Sequence, residues 1–258
     1  MSDVEKLFGR LSMTAVEARR IHLSNTLHAS LDGTVRHGPL QGLRVLREGS
    51  WGAGDLGAKL LGLYEQEVLE TLAAHRGGFD VLVNLGAGDG FYGVGLVVAG
   101  MVGRSVCFEA SEEGRAALLR TAELNGVADR VEILGAAGPD FMAHPSVAGL
   151  APARRLILVD IEGGEFDLLT DEVLAAARES HLVVELHGRM VRGGSEQEAR
   201  LLERLGTHFA CSLLMTGARD PARLPELASM GDSDRWLLCS EGRPYPMRWA
   251  CCAPREIG

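Results

Sequence analysis

The chain lacks any CxxC pair among its five cysteines, Cys107, Cys211, Cys239, Cys251 and Cys252. An odd number without paired spacing argues against a disulfide framework or a zinc ribbon, and makes reduced cytosol the default compartment. Long hydrophobic runs are also missing. The first six residues hold no apolar signal core, and the uncharged stretch at residues 91–103 is too short and too glycine-rich to span a membrane. The expectation is a soluble, cytoplasmic protein with no membrane partner. Positive charge is scarce: 26 Lys and Arg stand against 35 Asp and Glu, a formal net charge of −9. That balance argues against a protein that grips nucleic acid mainly through its phosphates, and leaves open a local basic groove. With 33 Gly and 9 Pro in 258 residues, low-complexity and collagen-like chains are excluded too.

What is present is an ordinary globular length with an excess of glycine, about 13% against a usual ~7%. Glycine serves tight turns and close approaches of backbone to a ligand, so the excess needs a location. The first 75 residues read as a helical cap or lid. A helix is predicted over residues 4–20, followed by a turn-rich stretch at 31–54, where Trp51 could line a lid. Leucines at helical spacing then predict one helix over 56–72, with Asp55 as N-cap and Gly77-Gly78 as the stop.

Residues 76–258 read as one α/β domain. Strand-length apolar runs at 81–85, 105–109, 131–134, 156–161 and 181–186 alternate with helical patterns near 92–102, 112–124, 171–178 and 196–205. This rhythm predicts a Rossmann-like parallel sheet with helices on both faces. Two further strands are predicted at 209–215 and 235–239, with an antiparallel pair at the end.

The glycines concentrate after the first predicted strand, where Gly86, Ala87, Gly88, Asp89 and Gly90 run into a helix. Bare backbone there can approach a ligand, and the amides at the helix start can hold an anionic group. Nineteen residues after Gly90, Glu109 ends the second strand, where a carboxylate can accept from both hydroxyls of an adenosine ribose. The glycines satisfy both GxGxG and the dinucleotide GxGxxG, so S-adenosylmethionine and a nicotinamide dinucleotide both remain open on the loop alone.

Further along, Asp160, Glu162 and Glu165 follow the fourth strand. If the chain stays extended, Asp160 and Glu162 share a side and face substrate, while Glu165 reads as an acid in the first turn of a helix. Glu185 and His187 share a face at the end of the fifth strand, and an imidazole there suits removal of a proton from an attacking hydroxyl. Asp160, Glu185 and His187 also make a donor set compatible with a divalent metal, although none is expected.

The segments VLVNLGAGDGFYG, VCFEAS, LILVDIEGGEFDLL and HLVVELHG, in this order and spacing, resemble the FkbM-type family of class I S-adenosylmethionine-dependent methyltransferases over roughly residues 79–188. The resemblance implies a seven-stranded, mostly parallel sheet with a reversed last strand. It also implies a cofactor held by Asn84, Gly86, Ala87, Gly88, Asp89, Gly90, Glu109, Ala110, Ala136 and Asp160. Asn84 stands where the class often has an acid, and Glu65, in a stretch resembling the helix before this fold, is the candidate to supply that charge. The implied reaction is O-methylation of a small-molecule or sugar-like acceptor, with Asp160, Glu162 and His187 as catalytic candidates. A different reaction at the sulfonium and a non-catalytic cofactor-binding module stay open, as does a homo-oligomer.

Overall fold

The computed structural model describes residues 3–47 and 54–255, with side chains from residue 13 onward; Trp51 lies outside the described residues. Seven strands form one sheet in the order β3-β2-β1-β4-β5-β7-β6. They are β1 (Val81–Leu85), β2 (Arg104–Phe108), β3 (Val131–Leu134), β4 (Arg155–Val159), β5 (His181–Leu186), β6 (Phe209–Met215) and β7 (Arg248–Pro254). The first five are parallel, and β7 runs antiparallel between β5 and β6. Because β1 and β4 are neighbours while the chain winds outward from each in opposite directions, a crevice opens at their carboxyl ends.

The helices are α1 (Asp3–Ser30), α2 (Leu56–Leu61), α3 (Gln66–Ala74), α4 (Phe91–Val98), α5 (Glu112–Leu124), α6 (Pro145–Ala148), α7 (Glu165–Leu168), α8 (Asp171–Ala177), α9 (Gly194–His208) and α10 (Asp232–Cys239). Strand alternation divides the core in two. Leu82, Leu156, Leu158 and Val183 pack with leucines of α1 to α5 and α10, whereas Val83, Leu85, Ile157, Val159 and Val184 pack with α7, α8 and α9.

Three expectations are corrected, and a fourth is met in part. The helix predicted to end near residue 20 continues to Ser30, because Leu23, Leu27 and Leu31 carry its buried stripe onward into the core. The single helix predicted over 56–72 is two, broken where Gly62 takes φ +72. A Cβ at Gly62 would stand 2.0 Å from the His37 carbonyl oxygen, so this crossing requires glycine. Asp55 stands at the N-cap position of α2 as expected, but its side chain makes no capping hydrogen bond and pairs instead with Lys59 at 3.0 Å. Residues 235–239 belong to helix α10 rather than to a strand. Acidic Asp232 and Asp234 sit in its first turn, Asp234 pairs with Arg19 of α1 at 2.6 Å, and Leu238 and Cys239 are buried.

The true seventh strand, Arg-Trp-Ala-Cys-Cys-Ala-Pro, is poor in β-branched residues and gives little strand signal. Its register with β6 sets Cys252 opposite Cys211, and the two form a disulfide, so only Cys107, Cys239 and Cys251 are free. The cysteine count alone pointed away from any such bond; antiparallel pairing of strands 41 residues apart is what creates it. Under denaturing, non-reducing conditions, thiol titration is expected to find three reactive thiols. Cys252→Ser is expected to lower the urea-unfolding free energy by up to about 4 kcal/mol through loss of the loop constraint.

Candidate active site

The carboxyl ends of β1, β2, β4 and β5 open into one cavity of about 690 Å³. At the β1 end the chain turns through Gly86 (φ +78), Gly88 (φ +53) and Gly90 (φ +90) into α4. Gly86 passes so close to β4 that an added Cβ would lie 1.6 Å from the Asp160 carbonyl oxygen. The turn therefore presents bare backbone to the crevice. Glu109 is buried beneath it: one carboxylate oxygen accepts from the Gly88 amide at 2.8 Å and the other from the Ser111 amide at 2.8 Å. Ser111 in turn caps α5 by accepting from the Gly114 amide.

Asn84 projects into the same cavity with 1% exposure, and both polar atoms of its amide are without a partner. Orphaned buried amides are rare in folded proteins, which marks this wall as shaped for a polar ligand. Asn84, Gly86, Ala87, Gly88, Asp89, Glu109, Ala110, Ala136 and Asp160, all expected from the sequence, line the cavity. Gly90 stands outside the lining as the left-handed N-cap of α4. Bare backbone beside a buried carboxylate is chemistry that would fit the adenosyl group of S-adenosylmethionine.

At the β5 end His187 is 2% exposed. Its Nδ1 faces Glu165 Oε1 at 3.2 Å, and the same oxygen accepts from the His187 amide at 3.0 Å. The second oxygen of Glu165 accepts from the Gly163 amide at 2.8 Å. Glu165 does open α7, as read from the sequence, yet its fully buried side chain turns back to hold the imidazole. A carboxylate partner at Nδ1 puts the ring proton there and turns the Nε2 lone pair into the cavity. Nε2 lies 3.6 Å from Asp160 and 3.5 Å from Glu162, gaps too long for direct hydrogen bonds.

Strand alternation is not what brings Asp160 and Glu162 together. β4 ends at Val159, and Glu162 reaches the ring from a turn in which its own φ is +55. Burial is the largest single influence on His187 and pushes its pKa down. The Glu165 hydrogen bond and the charges of Glu185, Glu165 and Glu162 outweigh it and leave His187 above its ordinary value. Asp160 is pushed up to about 7, first by burial and then by the charge of Glu65.

Glu65 does not line the cavity. It lies behind the wall, in left-handed backbone at the α2–α3 break, with Tyr92 donating to one oxygen at 2.5 Å and Arg243 paired to the other. The expected role in cofactor contact passes instead to a counter-charge role. Arg243, from the strap at residues 240–247, also pairs with Glu185, donates to the Tyr64 hydroxyl at 2.8 Å and meets Glu241 at 3.1 Å. The ligand atoms of Asp160, Glu185 and His187 lie within 4.8 Å of one another. Within that trio Glu185 already takes its positive partner from the protein, through the Arg243 guanidinium.

Lys59 was not anticipated either. It lines the cavity between Asp55 (3.0 Å) and Asp89 (3.5 Å), over the rings of Tyr64 and Phe91. No local pattern announces Lys59 or Arg243, whereas Glu165 was visible as the third acid after β4.

No protein-family model and no curated protein matches the chain. Among solved structures it is similar to cofactor-bound Rv0187 from MTB, at 16% identity and TM-score 0.51 over 74% of this chain and 81% of that one. An O-methyltransferase from Bacillus cereus in complex with SAH aligns at 15% identity and TM-score 0.49, over 72% and 79%. The C-terminal domain of precorrin-6Y C5,15-methyltransferase from Rhodobacter capsulatus aligns at 16% and 0.43, over 72% and 87%. The sheet order and the first of these alignments show the fold: this is a Rossmann-like class I methyltransferase fold. No described helix is long and apolar enough to cross a membrane.

Because His187 is raised above 6.5, its partners add stability that is complete below that pH and is lost as pH climbs through the folded-state value. Glu165→Gln is expected to move the NMR titration of His187 downward and to flatten this pH dependence of unfolding. An unmoved His187 titration would contradict the coupling.

Proposed function

We propose that this chain is an S-adenosylmethionine-dependent methyltransferase, of the FkbM type its motifs resemble, acting on a hydroxyl of a small-molecule or sugar-like acceptor. The observation that carries the reading is the pairing, across one cavity, of a bare glycine turn over Glu109 with a histidine whose free nitrogen faces inward. The orphaned amide of Asn84 supports a polar ligand between them.

When bound, the cofactor supplies a methyl group already activated by its sulfonium, which leaves the protein to align the acceptor and handle its proton. Gly86 to Asp89, Glu109, Ala110 and Ala136 form the cofactor cradle. An acceptor hydroxyl seated in the cavity would approach His187 Nε2 beside the carboxylates of Asp160 and Glu162, which stand 3.6 and 3.5 Å from that nitrogen. Nε2 takes the hydroxyl proton, and Glu165 stabilises the imidazolium through Nδ1. Arg243 holds Glu185 and Glu65 in place and limits the repulsion among the carboxylates. Glu17, Arg20 and Ile21 of α1 line the mouth, which supports residues 1–75 acting as the lid.

Calorimetric titration is expected to give saturable binding of S-adenosylhomocysteine and none of NAD, weakened more than about tenfold in Glu109→Ala and Gly88→Val. Failure of the wild-type protein to bind S-adenosylhomocysteine would overturn the reading. With a turned-over acceptor, His187→Asn is expected to lower kcat by about 10²–10⁴ while cofactor affinity holds.

A further inference from the structure

Among the described residues the cavity wall is strongly one-signed: eight acidic side chains line it against three basic ones, Arg20, Lys59 and Arg243. Most of that excess is answered within the fold. Lys59 is flanked by Asp55 and Asp89, Arg243 is shared by Glu185 and Glu241, and Glu109 accepts two backbone amides.

What remains lies at the acceptor end. Among the described residues, Asp160 and Glu162 have no lysine or arginine within ion-pairing distance; the nearest titratable base is the His187 ring, whose Nε2 lies 3.6 Å from the one and 3.5 Å from the other. One oxygen of Asp160 is wholly buried without a hydrogen-bond partner. Asn84, 1% exposed and unpartnered, opens onto the same space, an independent sign that a polar ligand completes this cavity. A sulfonium cofactor carries a formal net charge of only +1 (sulfonium and ammonium against one carboxylate), too little to neutralise both Asp160 and Glu162.

We propose that the acceptor is a hydroxylated amine, a small sugar-like molecule whose ammonium group is held by Asp160 and Glu162 while a neighbouring hydroxyl meets His187. This rests on the methyltransferase reading and adds the acceptor's charge to it. An ammonium supplies the positive charge those carboxylates lack, in a recess where water screens poorly. A phosphorylated or carboxylated acceptor would instead bring like charge against them.

Glucosamine, glucose and glucuronate serve as probes matched in size and differing in charge. Each is titrated by ligand-observed NMR into the full chain saturated with S-adenosylhomocysteine, after calorimetry has shown that complex to form. Glucosamine is expected to bind at least about tenfold more tightly than glucose, glucuronate more weakly than either, and the preference is expected to shrink as ionic strength rises. Glu162 is more than half exposed, so Glu162→Lys keeps the fold; it is expected to reverse the order of glucosamine and glucuronate with S-adenosylhomocysteine affinity unchanged. Equal binding of glucosamine and glucose, tighter binding of glucuronate, or no detectable glucosamine binding would each overturn the proposal while the cofactor reading stands. Loss of S-adenosylhomocysteine binding in the wild type would instead sink the reading beneath it.

Discussion

One guanidinium holds the β5 end of the cavity together. Arg243 stands among Glu65, Glu185 and Glu241, stacked near the rings of Tyr64 and Trp249, and burial of so many carboxylates would be prohibitive without it. Its partners come from distant places. Glu65 is supplied by the break between α2 and α3, Glu185 by the centre of the sheet, and Glu241 by the strap itself. Glu241 also accepts from the Glu65 amide at 3.2 Å, so the left-handed kink there is fixed by the network it serves. The positive φ at Glu65 thus belongs to the charge arrangement and would be costly to hold without it.

The two ends of the cavity are built by different means. At the β1 end the decisive property is absence of side chain, because Gly86 must clear the carbonyl of Asp160. At the β5 end it is a chain of hydrogen bonds, from the Gly163 amide through Glu165 to His187. On the proposed reading, a rigid backbone cradle opposite a tuned imidazole separates ligand holding from proton handling.

Much of this was legible in the sequence because it is local. The strand-to-helix rhythm, the glycine turn, Glu109, and the pair Glu185 and His187 all follow from short periodicities, and the first six strands stand within a few residues of where the apolar runs place them. The seventh did not follow, since Arg248–Pro254 relies on its neighbours rather than on β-branched residues for its extended form. The α2–α3 break was hidden because leucine spacing continues across it, while the cause is the approach of the His37 carbonyl to Gly62. Lys59 and Arg243 were hidden for a related reason: each takes its meaning from acids brought near by the fold. Glu65 was found for a charge it does carry, but the fold spends that charge on Arg243 and Tyr92.

The position of β7 orders the assembly of the molecule in time. β6 joins the sheet only through β7, which follows both β5 and β6 in the chain. Until it arrives, β6 has no strand to join, and Arg243, five residues upstream of β7, has not yet reached the carboxylates. During synthesis the glycine turn and the strands beside it can therefore form first, whereas Glu65 and Glu185 wait for their guanidinium. The β5 end of the cavity gains its counter-charge last, as the sheet closes.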